Sequence, residues 1–355
     1  MYGSEGFSIV LCTHNGRNRL EPTLKHLAQL QMPMGYEAEL ILVDNASTDN
    51  TADFSKNSWL KLGNPYPLRL LTESRPGKGY ATELGYDSAK FSYILTVDDD
   101  NWLAKDYLEI AVDLFQSHPD VGVLQGQSEG VFEALPPDWI VGLEHYFVIG
   151  APRPESGYFP KDYFFVWGAG MIIQKRDWDY LRSKGFSALT SKLPGKAAGE
   201  DTELGLALLL IGRKIYYSEK LNYKHFMPSG RVTWEKLKQN FEVFGYVNHY
   251  FFLYSLVLDS IRQNYILTDA SIEREFLKYW LKIMSRFTWK QHLLYWLKPQ
   301  QDIYQLILYR HYSQYAWFKY LKDNALKDAI FLRNWIKPVM NENKEDFDWV
   351  INYKK

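Results

Sequence analysis

Three consecutive carboxylates, Asp98-Asp99-Asp100, follow the apolar run Ile94-Leu95-Thr96-Val97 and precede Asn101. Like charges this close repel. A divalent cation offsets them, and Mg²⁺ or Mn²⁺ takes one or two carboxylates and fills its remaining positions with phosphate oxygens. The triplet therefore reads as a diphosphate clamp, with a solvated acidic turn as the plain alternative. Asp44 and Asn45, in Val43-Asp44-Asn45-Ala46-Ser47-Thr48-Asp49, either make an Asx-type turn or contact a nucleobase. Lys78, in Gly77-Lys78-Gly79, brings a cation to a helix start, where backbone N–H groups favour anions. Its surroundings are not a P-loop, because the opening Gly and the following Ser or Thr are missing.

Glu200 and Asp201 follow Gly199 at the head of an apolar helix. There they act as dipole partners or supply a base for an acceptor hydroxyl. His225, in Tyr223-Lys224-His225-Phe226-Met227-Pro228, is a structural histidine or a metal ligand. Arg231 clamps a phosphate or makes a surface ion pair. Trp167, followed by Gly168 and Ala169, offers a flat platform for a sugar ring or is a core aromatic.

The elements that must position these groups alternate. Phe7–Thr13, Glu39–Asp44, Leu68–Thr72 and Tyr93–Asp98 read as strands, each followed by a polar turn and an amphipathic stretch. Helices are expected near Asn18, Thr48, Gly79 and Ala104, with Ser47 or Thr48 as a cap. The pattern predicts an α/β fold around a mostly parallel sheet, whose ligands bind beyond the carboxyl ends of the strands. Prolines from Pro136 to Pro160 lead to a strand-like Phe164–Gln174, and the sequence is helical from Trp234 to Trp335 with Pro299 as a break. The charged Asn341–Lys355 stretch ends the chain.

Over 355 residues, 46% hydrophobic and with a net charge of −1, the chain suits a globular protein with more than one domain and has no electrostatic footprint for nucleic acid. The single cysteine, Cys12, reads as a core residue in a reducing compartment, and Met1–Gly6 shows no secretory signal, so the expected location is cytoplasmic. No apolar run reaches membrane-spanning length. The aromatic and lysine-rich last third predicts either peripheral contact with the inner face of a membrane or helical packing and homodimer formation.

In this order the motifs resemble the family 2 glycosyltransferases, over roughly residues 7–244. Ser8-Ile9-Val10-Leu11-Cys12-Thr13-His14-Asn15-Gly16-Arg17 is similar to that family's first strand and nucleotide loop, with Cys12 where proline is frequent. The resemblance implies a GT-A fold, a Rossmann-like sheet flanked by helices, for a catalytic domain over 1–244 (a nucleotide-sugar half to about 130, an acceptor half over 131–244), while the helical extension over 245–355 is read from the residues and has no counterpart in the resemblance. It implies donor contacts from Thr13, Asn15, Arg17, Asp44, Asn45, Lys78, Asp98, Asp99 and Arg231. Asp100, Asp98 and His225 would bind Mn²⁺ or Mg²⁺, Asp201 would be the general base with Glu200 beside it, and Trp167, Gly168 and Ala169 would meet the acceptor. The implied activity is inverting transfer of a hexose or N-acetylhexosamine from a nucleoside-diphosphate sugar, UDP-linked, to a hydroxyl of a glycan or lipid-linked acceptor in polysaccharide biosynthesis. One departure is Thr82-Glu83, where many relatives carry Arg-Asn. The competing readings are a sugar nucleotidyltransferase and a catalytically dead scaffold.

Overall fold

The computed structural model describes residues 5–160, 163, 165–192, 198–297 and 302–342. Phe164, Pro299 and the tail beyond Glu342 lie outside the described residues.

Strands β1 (Gly6–Thr13), β2 (Glu37–Asn45), β3 (Leu68–Glu73) and β4 (Tyr93–Asp98) are the four expected from the apolar runs, and they pair in parallel in the order β3-β2-β1-β4. The residues of β1, β2 and β4 are buried on both faces, as in Phe7, Ile9, Val10 and Leu11 of β1, because helices cover both sides of a parallel sheet, while the edge strand β3 is mostly half-buried. The crossovers are α1 (Leu20–Leu27), α2 (Thr51–Lys61) and α3 (Lys78–Asp87).

Beyond β4 the sheet is mixed. A tight turn leads into β5 (Asn101–Leu103) and α4 (Tyr107–Ser117), followed by β6 (Val121–Phe132), β7 (Gly157–Tyr158), β8 (Ile172–Gln174) and β9 (Lys214–Met227). The sheet continues β4-β8-β6-β9-β5, with β8 antiparallel to both β4 and β6, and β6 parallel to β9. The expected strand before Gln174 is therefore limited to Ile172–Gln174, the three residues that pair. The long strands β6 and β9 did not stand out in the alternation read from the sequence.

Helices α5 (Lys175–Ser183) and α6 (Glu200–Leu210) complete the first of two compact units, which comprises the chain up to Ser183 together with Ser187–Val232. The second holds Lys184–Phe186 and the chain from Thr233 onward, with α7 (Trp234–Arg262), α8 (Asp269–Met284), α9 (Trp289–Leu297) and α10 (Ile303–Glu342). It begins ahead of residue 245 because Thr233 caps α7, its side chain accepting from Lys236 N–H, and α7 then runs unbroken. Within this unit Phe276 stacks on Phe318 at 3.9 Å, and Trp335 meets Phe186 edge-on at 5.2 Å. Among the described residues no helix is long and apolar enough to cross a membrane.

Candidate functional site

The site of the first unit forms where β1, β2 and β4 end together, because parallel strands deliver all their carboxyl ends to one edge. The loop after β1 turns at Gly16, where a Cβ would lie 2.0 Å from Thr13 Oγ1 and 2.7 Å from Asp99 Oδ2. Only glycine fits that approach. Asn15 carries its side chain to the next loop, its Oδ1 accepting Thr48 N–H at 2.8 Å, while Arg17 stays exposed with its N–H on Asp49. The cap of α2 differs from expectation. Asn50 occupies the N-cap position without a side-chain bond, and it is Asp49 that accepts Thr51 N–H at 3.2 Å.

The three acids divide their roles. Asp99 faces Arg19, whose Nε and Nη2 reach its two oxygens at 3.1 and 2.8 Å, and Thr13 donates to it at 2.6 Å. Burial pushes the Asp99 carboxyl up, against the pull of Arg19. Asp98 pairs with Lys78 Nζ at 2.9 Å, and the same ammonium lies 3.3 Å from Glu200 Oε1. Burial disfavours that ammonium, yet Asp98, Glu200 and Asp201 hold it well above the ordinary lysine range. Lys78 thus joins the end of β4 to the start of α6.

Asp100 meets different partners. Arg231 donates to its Oδ2 at 2.6 Å and Asn101 to its Oδ1 at 3.0 Å, while His225 Nε2 stands 3.5 Å from Oδ1. Burial would raise this carboxyl, but His225, Arg231 and Lys78 outweigh it and hold it at about 2. His225 arrives on β9, where Leu221, Tyr223, His225 and Met227 alternate into the interior. Its Nδ1 lies 3.1 Å from the Val148 carbonyl, which only accepts, so Nδ1 carries a proton. Val148 sits at φ 58, a left-handed conformation costly for a β-branched residue, and its carbonyl also takes the Ser128 hydroxyl at 2.6 Å. The buried Nε2 has no hydrogen-bond partner. That Nε2 and the Asp100 carboxylate face one another across 3.5 Å.

Helix α6 begins after Gly199, whose φ of 93 favours glycine. Asp201 accepts Gly168 N–H and Thr202 N–H, each at 2.7 Å. Burial, reinforced by the neighbouring Glu200 charge, raises its carboxyl to about 7. Glu203, one turn on, is fully buried and holds the Leu189 and Thr190 amides at 2.8 and 3.0 Å. Trp167 is half-buried beside Gly168.

Asp98 is held by Lys78, while Asp100 faces His225. Among the described residues no group of three or more His, Cys, Asp or Glu side chains is placed to hold a metal ion, so any ion there needs ligands from a bound molecule. Asn45 gives both amide protons to the Glu73 and Arg75 carbonyls and accepts Gly77 N–H, which makes it a staple of the Lys78 loop. Asp99 is paired with Arg19 and Thr13, and Ala169 lies in the apolar core. Asp44 Oδ1 accepts Ser47 N–H at 3.1 Å, the Asx-type turn considered above.

The model of the family described as "Glycosyl transferase family 2" matches residues 8–176, and that of "Glycosyl transferase family group 2" matches residues 93–318. The chain belongs to the family 2 glycosyltransferases. It is similar to the poly-beta-1,6-N-acetyl-D-glucosamine synthase of Staphylococcus epidermidis, 29% identical over 126 residues, which are 34% of this chain and 28% of that protein. The protein of the same name from Staphylococcus aureus strain MSSA476 is 28% identical over 123 residues. The chain therefore spans 28% of the length of these curated relatives. The crystal structure of S. aureus TarS 1-349 in complex with UDP-GlcNAc matches with a TM-score of 0.52 at 17% identity, covering 95% of this chain and 92% of that one, a likeness of fold.

Within this family 2 member the Thr82-Glu83 departure has a structural account. Thr82 lies 3.8 Å from Sγ of the half-buried Cys12, and burial of the thiol pushes it up to about 12. Glu83 receives Lys192 Nζ at 3.0 Å, the Ser187 hydroxyl at 2.9 Å and Ala188 N–H at 2.9 Å. Glu83 thus anchors the segment leading to Lys192. Arg19, Val148 and Lys192 were missed from the sequence. The strand alternation of β9 was the signal that could have marked His225 as buried.

Proposed function

We propose that this chain transfers an N-acetylhexosamine from a UDP-sugar to a hydroxyl of a glycan or lipid-linked acceptor, with inversion at the anomeric carbon. The observation that carries the reading is Asp201: a carboxylate at a rigid helix start, raised to about 7 and tied through Lys78 and Glu200 to the strand-end acids. A base poised near the working pH is what hydroxyl activation requires. The acceptor oxygen attacks the anomeric carbon, its proton passes to Asp201, and the bond to the diphosphate oxygen breaks on the opposite face. One displacement inverts the centre.

Lys78 and Arg231 place positive charge where the leaving diphosphate gains negative charge, and Trp167 offers a ring for the acceptor sugar. Asp100 and the unpartnered Nε2 of His225 fit a hard divalent ion, Mg²⁺ or Mn²⁺, whose chemistry there would be to neutralise the diphosphate. The UDP-N-acetylhexosamine class is supported by the similar proteins, a poly-beta-1,6-N-acetyl-D-glucosamine synthase and TarS in complex with UDP-GlcNAc. The test is transfer from a panel of UDP-sugars, with the anomeric configuration of the product read by NMR. Asp201→Asn is expected to lower transfer by about 10³-fold while UDP affinity stays within about twofold. Retained turnover in that variant, or a retained anomeric configuration in the wild-type product, refutes the mechanism.

A further inference from the structure

In the second unit α9 has no buried residue, although five of its nine positions are Trp or Leu. Trp289, Leu293, Trp296 and Leu297 are 69, 46, 71 and 69% exposed, and their spacing places them along one stripe. The other face is docked on α10: Tyr295 stacks on Tyr312 at 4.7 Å, and His292 Nδ1 lies 3.0 Å from the Tyr312 hydroxyl. The helix is thus held from one side with its apolar stripe turned outward.

Charge says what covers that stripe. From Phe276 to Gln301 the sequence has no Asp or Glu but carries Lys278, Lys282, Arg286, Lys290 and Lys298, of which Lys278 pairs with the preceding Glu275 at 3.0 Å, in a chain whose net charge is −1. Lys278, Lys282, Arg286 and Lys290 are exposed. Exposed Trp and Leu flanked by basic side chains match the boundary between anionic headgroups and acyl chains, where Trp rings settle and each basic residue adds attraction. A second copy fits poorly, because a twofold pairing of this face would set the same cations against one another with no acid in the segment to offset them. At nine residues the helix is too short to span a bilayer, which takes about 20. We propose that α9 lies flat in the surface of an anionic membrane, with Trp289, Leu293, Trp296 and Leu297 immersed and the neighbouring lysines on the headgroups.

The test is flotation of the full chain with vesicles of phosphatidylcholine alone and of phosphatidylcholine with about 30% phosphatidylglycerol. The bound fraction is expected to be about tenfold higher on the anionic vesicles and to fall in high salt. A Trp289→Ser/Trp296→Ser double variant, with an unchanged circular dichroism spectrum, is expected to lose about fivefold or more of that binding, and Lys282→Glu/Lys290→Glu to lose it comparably. The proposal is overturned if the wild type stays soluble with both vesicles or if the Trp variant floats as the wild type does. It is equally overturned if gel filtration shows a wild-type dimer that this variant converts to monomer.

Discussion

The protonation of Asp201 sets a pH dependence that can be worked out in advance. In the proposed mechanism transfer needs the Asp201 carboxylate, which burial and the Glu200 charge raise to about 7. Single-turnover rates should rise about tenfold per pH unit up to that value and level off above it. At pH 5 the rate should be roughly a hundredfold below the plateau. Glu200 is the second cause of the shift after burial, so Glu200→Gln removes a like charge from the same helix start. Neighbouring charges at an effective dielectric near 20 interact by on the order of 2 kcal/mol, which lowers the midpoint by about one and a half units. The variant should therefore be faster than wild type at pH 5 and within severalfold of it at pH 8. The assay is rapid-quench transfer from a saturating UDP-sugar over pH 4.5 to 9, with folding checked by circular dichroism at each end. A wild-type midpoint near the ordinary aspartate range, or a Glu200→Gln midpoint that stays put or moves upward, would falsify the assignment of Asp201 as the base.

Other perturbations test the rest of the site. Lys78→Met removes the charge that lowers Asp201, so the midpoint of the same profile should move upward, opposite to Glu200→Gln. Arg19→Ala leaves the Asp99 carboxylate without its ion pair, and denaturant unfolding should show a loss of about 2–3 kcal/mol. Mn²⁺ should tighten UDP binding in the wild type, as read by calorimetry, and the effect should vanish with chelator or in His225→Ala; an equal Mn²⁺ effect in that variant would rule out His225 as a ligand. In the helical unit, burial holds His249 at about 3, below an unfolded value near 6.5. The unfolded chain therefore takes the proton first on acidification, and stability should fall between these pH values by up to about 1.4 kcal/mol per unit. In His249→Phe that slope should flatten, which thermal unfolding across pH would show.

What the sequence by itself determined is local. The runs ending in Thr13, Asp44 and Asp98 were legible as parallel strands because short β-rich stretches separated by amphipathic helices leave few other arrangements, and the parallel rule then placed their acids on one rim. Asp201 at a helix start was legible for the same reason, since Gly199 and the apolar residues after it fix where the helix begins. Tertiary structure alone decided how the charges were shared. Asp98, Asp99 and Asp100 look alike in the sequence, yet Lys78, Arg19 and the pair Arg231 and His225 each claim a different one. Those partners lie 20, 80, 131 and 125 residues away along the chain. Which ammonium or guanidinium meets which carboxylate depends on the mixed half of the sheet, where β9 returns beside β5 and carries His225 to Asp100. Charge interactions are set by distance and burial in space, and spacing along the chain encodes neither.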